Sequence, residues 1–161
     1  MSGTLVIKNR QRTIALNARL FRMMTKSLLT DLLELDDFDF GISVVQAPEM
    51  AQINKTYLQH EGSTDVITFD YDDPSKASRK YIYGEIFICI DDAMAQARQF
   101  CTSWQSELAR YVIHGVLHLL GYDDIRTADR RKMKREENRL LKELARLFPL
   151  RKLGRDSRLA P

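Results

Sequence analysis

Residues 114–124 read His-Gly-Val-Leu-His-Leu-Leu-Gly-Tyr-Asp-Asp, placing two of the chain's three histidines four positions apart, ahead of a glycine and two acids. Residues four apart share one face of an α-helix about 6 Å apart along its axis, so His114 and His118 can converge on one point. Gly121 is expected to end that helix, because a residue without Cβ enters the left-handed conformation that reverses the chain. The returning segment then carries Asp124 towards the imidazoles. Two imidazoles and one carboxylate leave an open position on a tetrahedral ion, as in a catalytic rather than a structural zinc site. His114, His118 and Asp124 are therefore read as metal ligands, for zinc or another divalent transition metal. Asp123 reads as an acid that orients a ligand or caps the turn. The competing reading is a packed histidine pair among Val112, Ile113, Val116, Leu117, Leu119 and Leu120, each ring bonded to a backbone carbonyl.

The spacing His-x3-His-x2-Gly-x2-acid also matches the ligand pattern of zinc peptidases. Those enzymes carry a glutamate directly after the first histidine as general base, and Gly115 occupies that position here. The missing base argues against peptide hydrolysis.

The elements that must position these residues follow from periodicity. Thr4 to Asn9 alternates as a strand, and the leucines and methionines between Ile14 and Leu35 predict one long amphipathic helix. Phe40 to Gln46 is the second strand, and Pro48 suits the first turn of a helix reaching about Leu58. Thr64 to Phe69 and Tyr81 to Ile90 are further strands on either side of a polar loop, with Gly84 marking a bulge or a close backbone approach. Asp91 and Asp92 suit the start of a helix whose apolar side is Met94, Ala95, Ala97 and Phe100. Ser103 caps the histidine helix, and Thr127 caps a last helix that ends near Leu147, before Pro149. This order predicts an α+β domain over residues 1–149, a roughly four-stranded mixed sheet packed with about five helices. Residues 150–161 read as a basic, disordered tail.

At 161 residues and 44% hydrophobic content, the chain has enough apolar material for one core. No apolar run is long enough to span a membrane, and Met1 to Arg12 lacks the apolar core of a signal peptide, so a cytoplasmic location is expected. Cys89 and Cys101 do not form a metal or redox pair. The net charge of +3 hides an asymmetry: residues 126–161 carry +8 and residues 1–125 carry −5. Arg126, Arg130, Arg131 and Lys134 follow Asp124 closely and are read as candidate contacts to a polyanion such as RNA, the alternative being a solvated helix face. Asp65 reads either as a strand-end cap or as an acid that orients the loop or a ligand. The turn pair His60 and Glu61 and the acids Asp70, Asp72 and Asp73 read as exposed loop residues.

Four segments resemble the YbeY family of bacterial rRNA-maturation endoribonucleases. Asn54-Lys-Thr-Tyr57 is similar to the family's Asn-x-x-Tyr segment, Ser63-Thr-Asp-Val-Ile-Thr-Phe69 to its Pro-Thr-Asp-Val-Leu-Ser-Phe strand, and Gly84-Glu-Ile to its Gly-Asp-Ile strand. His114 to Asp124 resembles its His-Gly-x-Leu-His-Leu-x-Gly-Tyr-Asp-His signature. The resemblance implies metal-dependent cleavage of single-stranded RNA, with ribosomal RNA and the small ribosomal subunit as partners. Two positions depart from it. Asp124 stands where the family has a third histidine, and Leu58 where it has an arginine suited to stabilising phosphate charge. Lys55, His60 and Arg79 are candidates to replace that guanidinium. The alternative function is an RNA- or ribosome-associated binding protein whose metal site is structural or vestigial.

Overall fold

Alternation of apolar residues along four segments builds the central sheet of the computed structural model, which describes residues 2–58, 65–71 and 80–156. Strands β1 (Ser2–Asn9), β3 (Asp37–Val45), β4 (Val66–Asp70) and β5 (Tyr81–Cys89) lie in the order β1-β3-β5-β4. β1 and β5 run parallel to β3, whereas β4 is antiparallel to β5. The sheet is therefore mixed, and among the described residues five α-helices accompany it: α1 (Ala18–Ser27), α2 (Ala47–Ile53), α3 (Ile90–Phe100), α4 (Trp104–Leu119) and α5 (Thr127–Leu147).

The histidine helix α4 is the hub. Leu108, Ala109, Val112, Ile113, Val116 and Leu117 are fully buried, in one core with Phe40, Ile42, Ile82 and Ile86 of the sheet. Two glycines let the helix lie close to β5. A Cβ on Gly115 would stand 2.8 Å from Ile86 Cγ2, and one on Gly84 would stand 3.0 Å from Leu119 Cδ2 of the helix and 2.4 Å from the Phe69 carbonyl oxygen of β4. Gly84 thus marks a close approach, and the position after His114 faces the sheet rather than the ligands. On the opposite face of the sheet, α2 covers one end through Met50 and Ile53, against Val45, Ile67 and Cys89.

Several boundaries differ from the sequence pattern. Ile14–Leu16 is not helical. It forms a short strand β2, held extended by Gln11, whose side chain accepts from the Ile14 N–H at 2.9 Å and donates to its carbonyl at 3.1 Å. Asn17 then caps α1 by accepting from Leu20 N, and the helix passes into a π-turn at Leu28–Leu32. α2 similarly gives way to a π-turn at Asn54–Leu58. Thr127 is the first residue of α5 rather than its cap, since Arg126 occupies the N-cap position without a side-chain bond.

Of the tail expected to be disordered from residue 150, residues 150–156 are built into the fold, and residues 157–161 lie outside the described residues. Leu150–Leu153 makes a 3-10 turn with Leu153 fully buried, and β6 (Gly154–Asp156) pairs antiparallel with β2. Asn17 N donates to the Leu153 carbonyl at 2.7 Å. Gly154 is required at this joint, because a Cβ there would meet the Ala15 carbonyl oxygen at 2.2 Å. One buried leucine and one glycine are too little pattern to betray an ordered segment. Among the described residues, no helix is long and apolar enough to cross a membrane.

Candidate metal centre

The end of α4 is fixed by local backbone chemistry. Gly121 takes φ 98°, its N–H donates to the His118 carbonyl at 3.0 Å, and Tyr122 N donates to Leu117 O at 3.0 Å. These are the paired bonds of a Schellman stop, which reverses the chain through a residue free of Cβ strain. Asp123 Oδ1 accepts from Ile125 N at 2.9 Å and holds the following turn. Asp124 is thereby returned to the face that carries both histidines.

Three ligand-type atoms meet there. His118 Nε2 lies 3.1 Å from His114 Nε2 and 3.4 Å from Asp124 Oδ2, and His114 Nε2 lies 3.8 Å from the same oxygen. Donors bound at about 2.0–2.2 Å to a tetrahedral ion stand about 3.3–3.6 Å apart, so the separations fit one shared ion. The donor set of two imidazoles and a carboxylate suits zinc and related divalent ions. Among the described residues, His114, His118 and Asp124 form the cluster of histidine, cysteine or acid side chains that could hold a metal ion.

One contributor to the site escaped the sequence pattern. Glu137 of α5 is buried, and its Oε2 accepts from His114 Nδ1 at 2.9 Å. Its Oε1 accepts from Arg110 Nη1 at 2.7 Å and from Lys134 Nζ at 3.3 Å. Burial opposes the carboxylate's charge, but the bonds from His114 and Arg110 and the Lys134 charge outweigh it and hold the carboxyl down at about 2. An ionised carboxylate only accepts, so His114 carries its proton on Nδ1 and turns Nε2 towards His118 and Asp124. Burial also opposes a charge on His114. The Glu137 hydrogen bond and the charges of Glu137, Asp65 and Asp124 overcome that effect and raise its pKa. A signal for Glu137 does exist in the sequence. Met133, Glu137, Leu140 and Leu144 are the buried residues of α5 and recur at helical spacing, which puts one acid on an otherwise apolar stripe.

A cavity of about 470 Å³ opens beside the metal face, lined by His114 and Asp124 and extending between α3, α4 and α5. Asp65 lies on its wall, with its carboxylate accepting from Val66 N at 2.8 Å. Of the four cations read as polyanion contacts, Arg130 and Lys134 line the cavity, whereas Arg126 and Arg131 are exposed outside that lining. Lys55 is exposed on the π-turn after α2. His60, Glu61, Asp72, Asp73 and Arg79 lie outside the described residues.

The model of the family described as endoribonuclease YbeY matches residues 6–145. The endoribonuclease YbeY of Finegoldia magna is 33% identical over 141 residues, covering 86% of this chain and 92% of that protein. The one from Alkaliphilus metalliredigens is 27% identical over 150 residues, covering 89% and 97%. The solution structure of TM1509 from Thermotoga maritima shares the fold with a TM-score of 0.64 at 23% identity, covering 88% of this chain and 89% of that one. With the match running from β1 through the histidine helix into α5, the chain belongs to the endoribonuclease YbeY family.

Proposed function

We infer that this protein is a zinc-dependent, single-strand-specific endoribonuclease acting in the cytoplasm on ribosomal RNA of the small subunit. In this reading it serves 16S rRNA 3′-end maturation, rRNA processing and ribosome quality control. The observation that carries it is the convergence of His114, His118 and Asp124 beside a cavity that also presents Arg130 and Lys134, in a chain of this family. A bound divalent metal supplies Lewis acidity towards water and the phosphodiester. The chain's own part is positional. Glu137 keeps the His114 proton on Nδ1, Arg110 and Lys134 hold Glu137 ionised, and Arg130 offers a cation to phosphate without an ion pair to any described residue. The deciding experiment is metal analysis of protein purified without a histidine tag, paired with single-stranded RNA cleavage by wild type and His114→Ala. Stoichiometric metal and cleavage only by wild type support the reading; equal cleavage by both assigns the activity to a contaminant. Tight RNA binding without cleavage at any added metal selects the binding-protein reading instead.

Asp124 gives the donor set a negative charge where a third histidine would give none. A carboxylate opposes proton loss at the site more than a neutral imidazole does. Asp124→His is therefore expected to retain the metal and to move the pH–activity profile to lower pH. An unchanged or alkaline-shifted profile would count against Asp124 as a ligand.

A further inference from the structure

Phe100 is the last residue of α3, in register with the buried Ala93 and Ala97, and its helical position alone would send it into the core. It is instead 61% exposed and lines the cavity that His114 and Asp124 also line. The chain leaves α3 immediately afterwards through Cys101, in the left-handed conformation at φ 56° and ψ 41°, so no further turn of helix covers the ring. Other exposed aromatics are engaged: Tyr57 stacks edge-on against Phe69, and Tyr71 lies against Tyr83. Phe100 makes no ring contact with a described residue. Across the same cavity stands Arg130, which forms no ion pair with a described residue. An unused aromatic face and an unused guanidinium, in a cavity of about 470 Å³ that ends at the metal face, match the parts of a nucleotide subsite.

Resting on the reading of this site as a ribonuclease centre, we propose that Phe100 is a base-stacking platform. It holds one nucleotide flanking the scissile phosphate while Arg130 contacts a neighbouring phosphate. A base can lie on Phe100 only when it has left its own stack, so the ring selects single strands over duplex. Arg130 contributes charge without regard to base identity.

The test is fluorescence anisotropy with a short labelled RNA in the cleavage-silent His118→Ala background, followed by steady-state cleavage in the wild-type background. Phe100→Ala is expected to weaken single-strand binding about tenfold, to leave duplex binding unchanged and to leave the thermal midpoint in place, because the ring is exposed. Phe100→Trp retains affinity. An abasic nucleotide at one position costs the parent the same factor and costs Phe100→Ala nothing more. Arg130→Ala lowers affinity for all sequences alike and reduces the salt slope by about 0.7. Parent affinity in Phe100→Ala, or losses that multiply at every abasic position, would overturn the platform. Failure of the metal-loaded wild-type protein to cleave single-stranded RNA would overturn the ribonuclease reading and the platform with it, an outcome distinct from the other two.

Discussion

His118→Ala is expected to remove the metal and to lower RNA cleavage by about a thousandfold or more, while leaving the fold intact. Removal of His118, one of the three proposed ligands, disturbs little else. Its ring is partly exposed, and its contacts are to His114 Nε2 and Asp124 Oδ2, both members of the proposed donor set. No buried group elsewhere loses a partner, so the stability of the metal-free protein should change by no more than about 1 kcal/mol. The donor set drops from three atoms to two, and the Lewis-acid contribution, several kcal/mol at about 1.4 kcal/mol per tenfold in rate, goes with the ion. Elemental analysis and single-turnover cleavage measure both effects. Thermal scans supply an independent readout: a chelator should lower the midpoint of wild type, which binding stabilises by about 2.7 kcal/mol at a hundredfold excess over Kd, and should not move that of His118→Ala. Full metal occupancy in the variant would rule out a three-donor centre.

The features that specify this site differ in how far apart they lie along the chain, and that distance decides which of them the sequence discloses. His114, His118 and Gly121 act within two turns of one helix, so their spacing alone announces a shared face and a stop. Glu137 lies 23 residues from His114 on another helix, beside Glu136, and only its place on the stripe of Met133, Leu140 and Leu144 separates it from a surface acid. Where the pattern misleads, a nonlocal partner is responsible. Ile14 and Leu16 continue the apolar register of α1, yet pairing with Gly154–Asp156 claims them for a strand. Phe100 continues the register of α3, yet the chain turns away at Cys101 and leaves the ring in the cavity.

Glu137→Gln should weaken metal binding about 10- to 100-fold, although Glu137 is not among the three proposed ligands. The substitution keeps the shape of the side chain but replaces one acceptor oxygen by an NH₂ donor. Three donors, His114 Nδ1, Arg110 Nη1 and Lys134 Nζ, point at this carboxylate, so the amide must turn a donor against one of them. If His114 is the loser, its proton is no longer pinned on Nδ1, and Nε2 no longer faces the ion as a fixed lone pair. Loss of such an orienting carboxylate typically costs affinity by that factor. Weakening charge-assisted bonds at a buried site should also cost about 2 kcal/mol of stability, with water at the partly exposed Arg110 limiting the loss. The pH dependence of that deficit identifies its source. The Glu137 carboxyl is held at about 2 against 4.5 when unperturbed, so its stabilisation is complete above about pH 4.5 and is lost as the pH falls towards 2. The His114 pKa is raised from 6.5, so its stabilisation is complete below that value and is lost as the pH rises through the higher folded-state value. In chelator, the stability difference between wild type and Glu137→Gln should therefore be widest between about pH 4.5 and 6.5 and should narrow on both sides. Urea unfolding across that range gives the profile directly. A deficit that stays constant with pH would mean that Glu137 acts through packing, and unchanged metal affinity would mean that it does not orient His114.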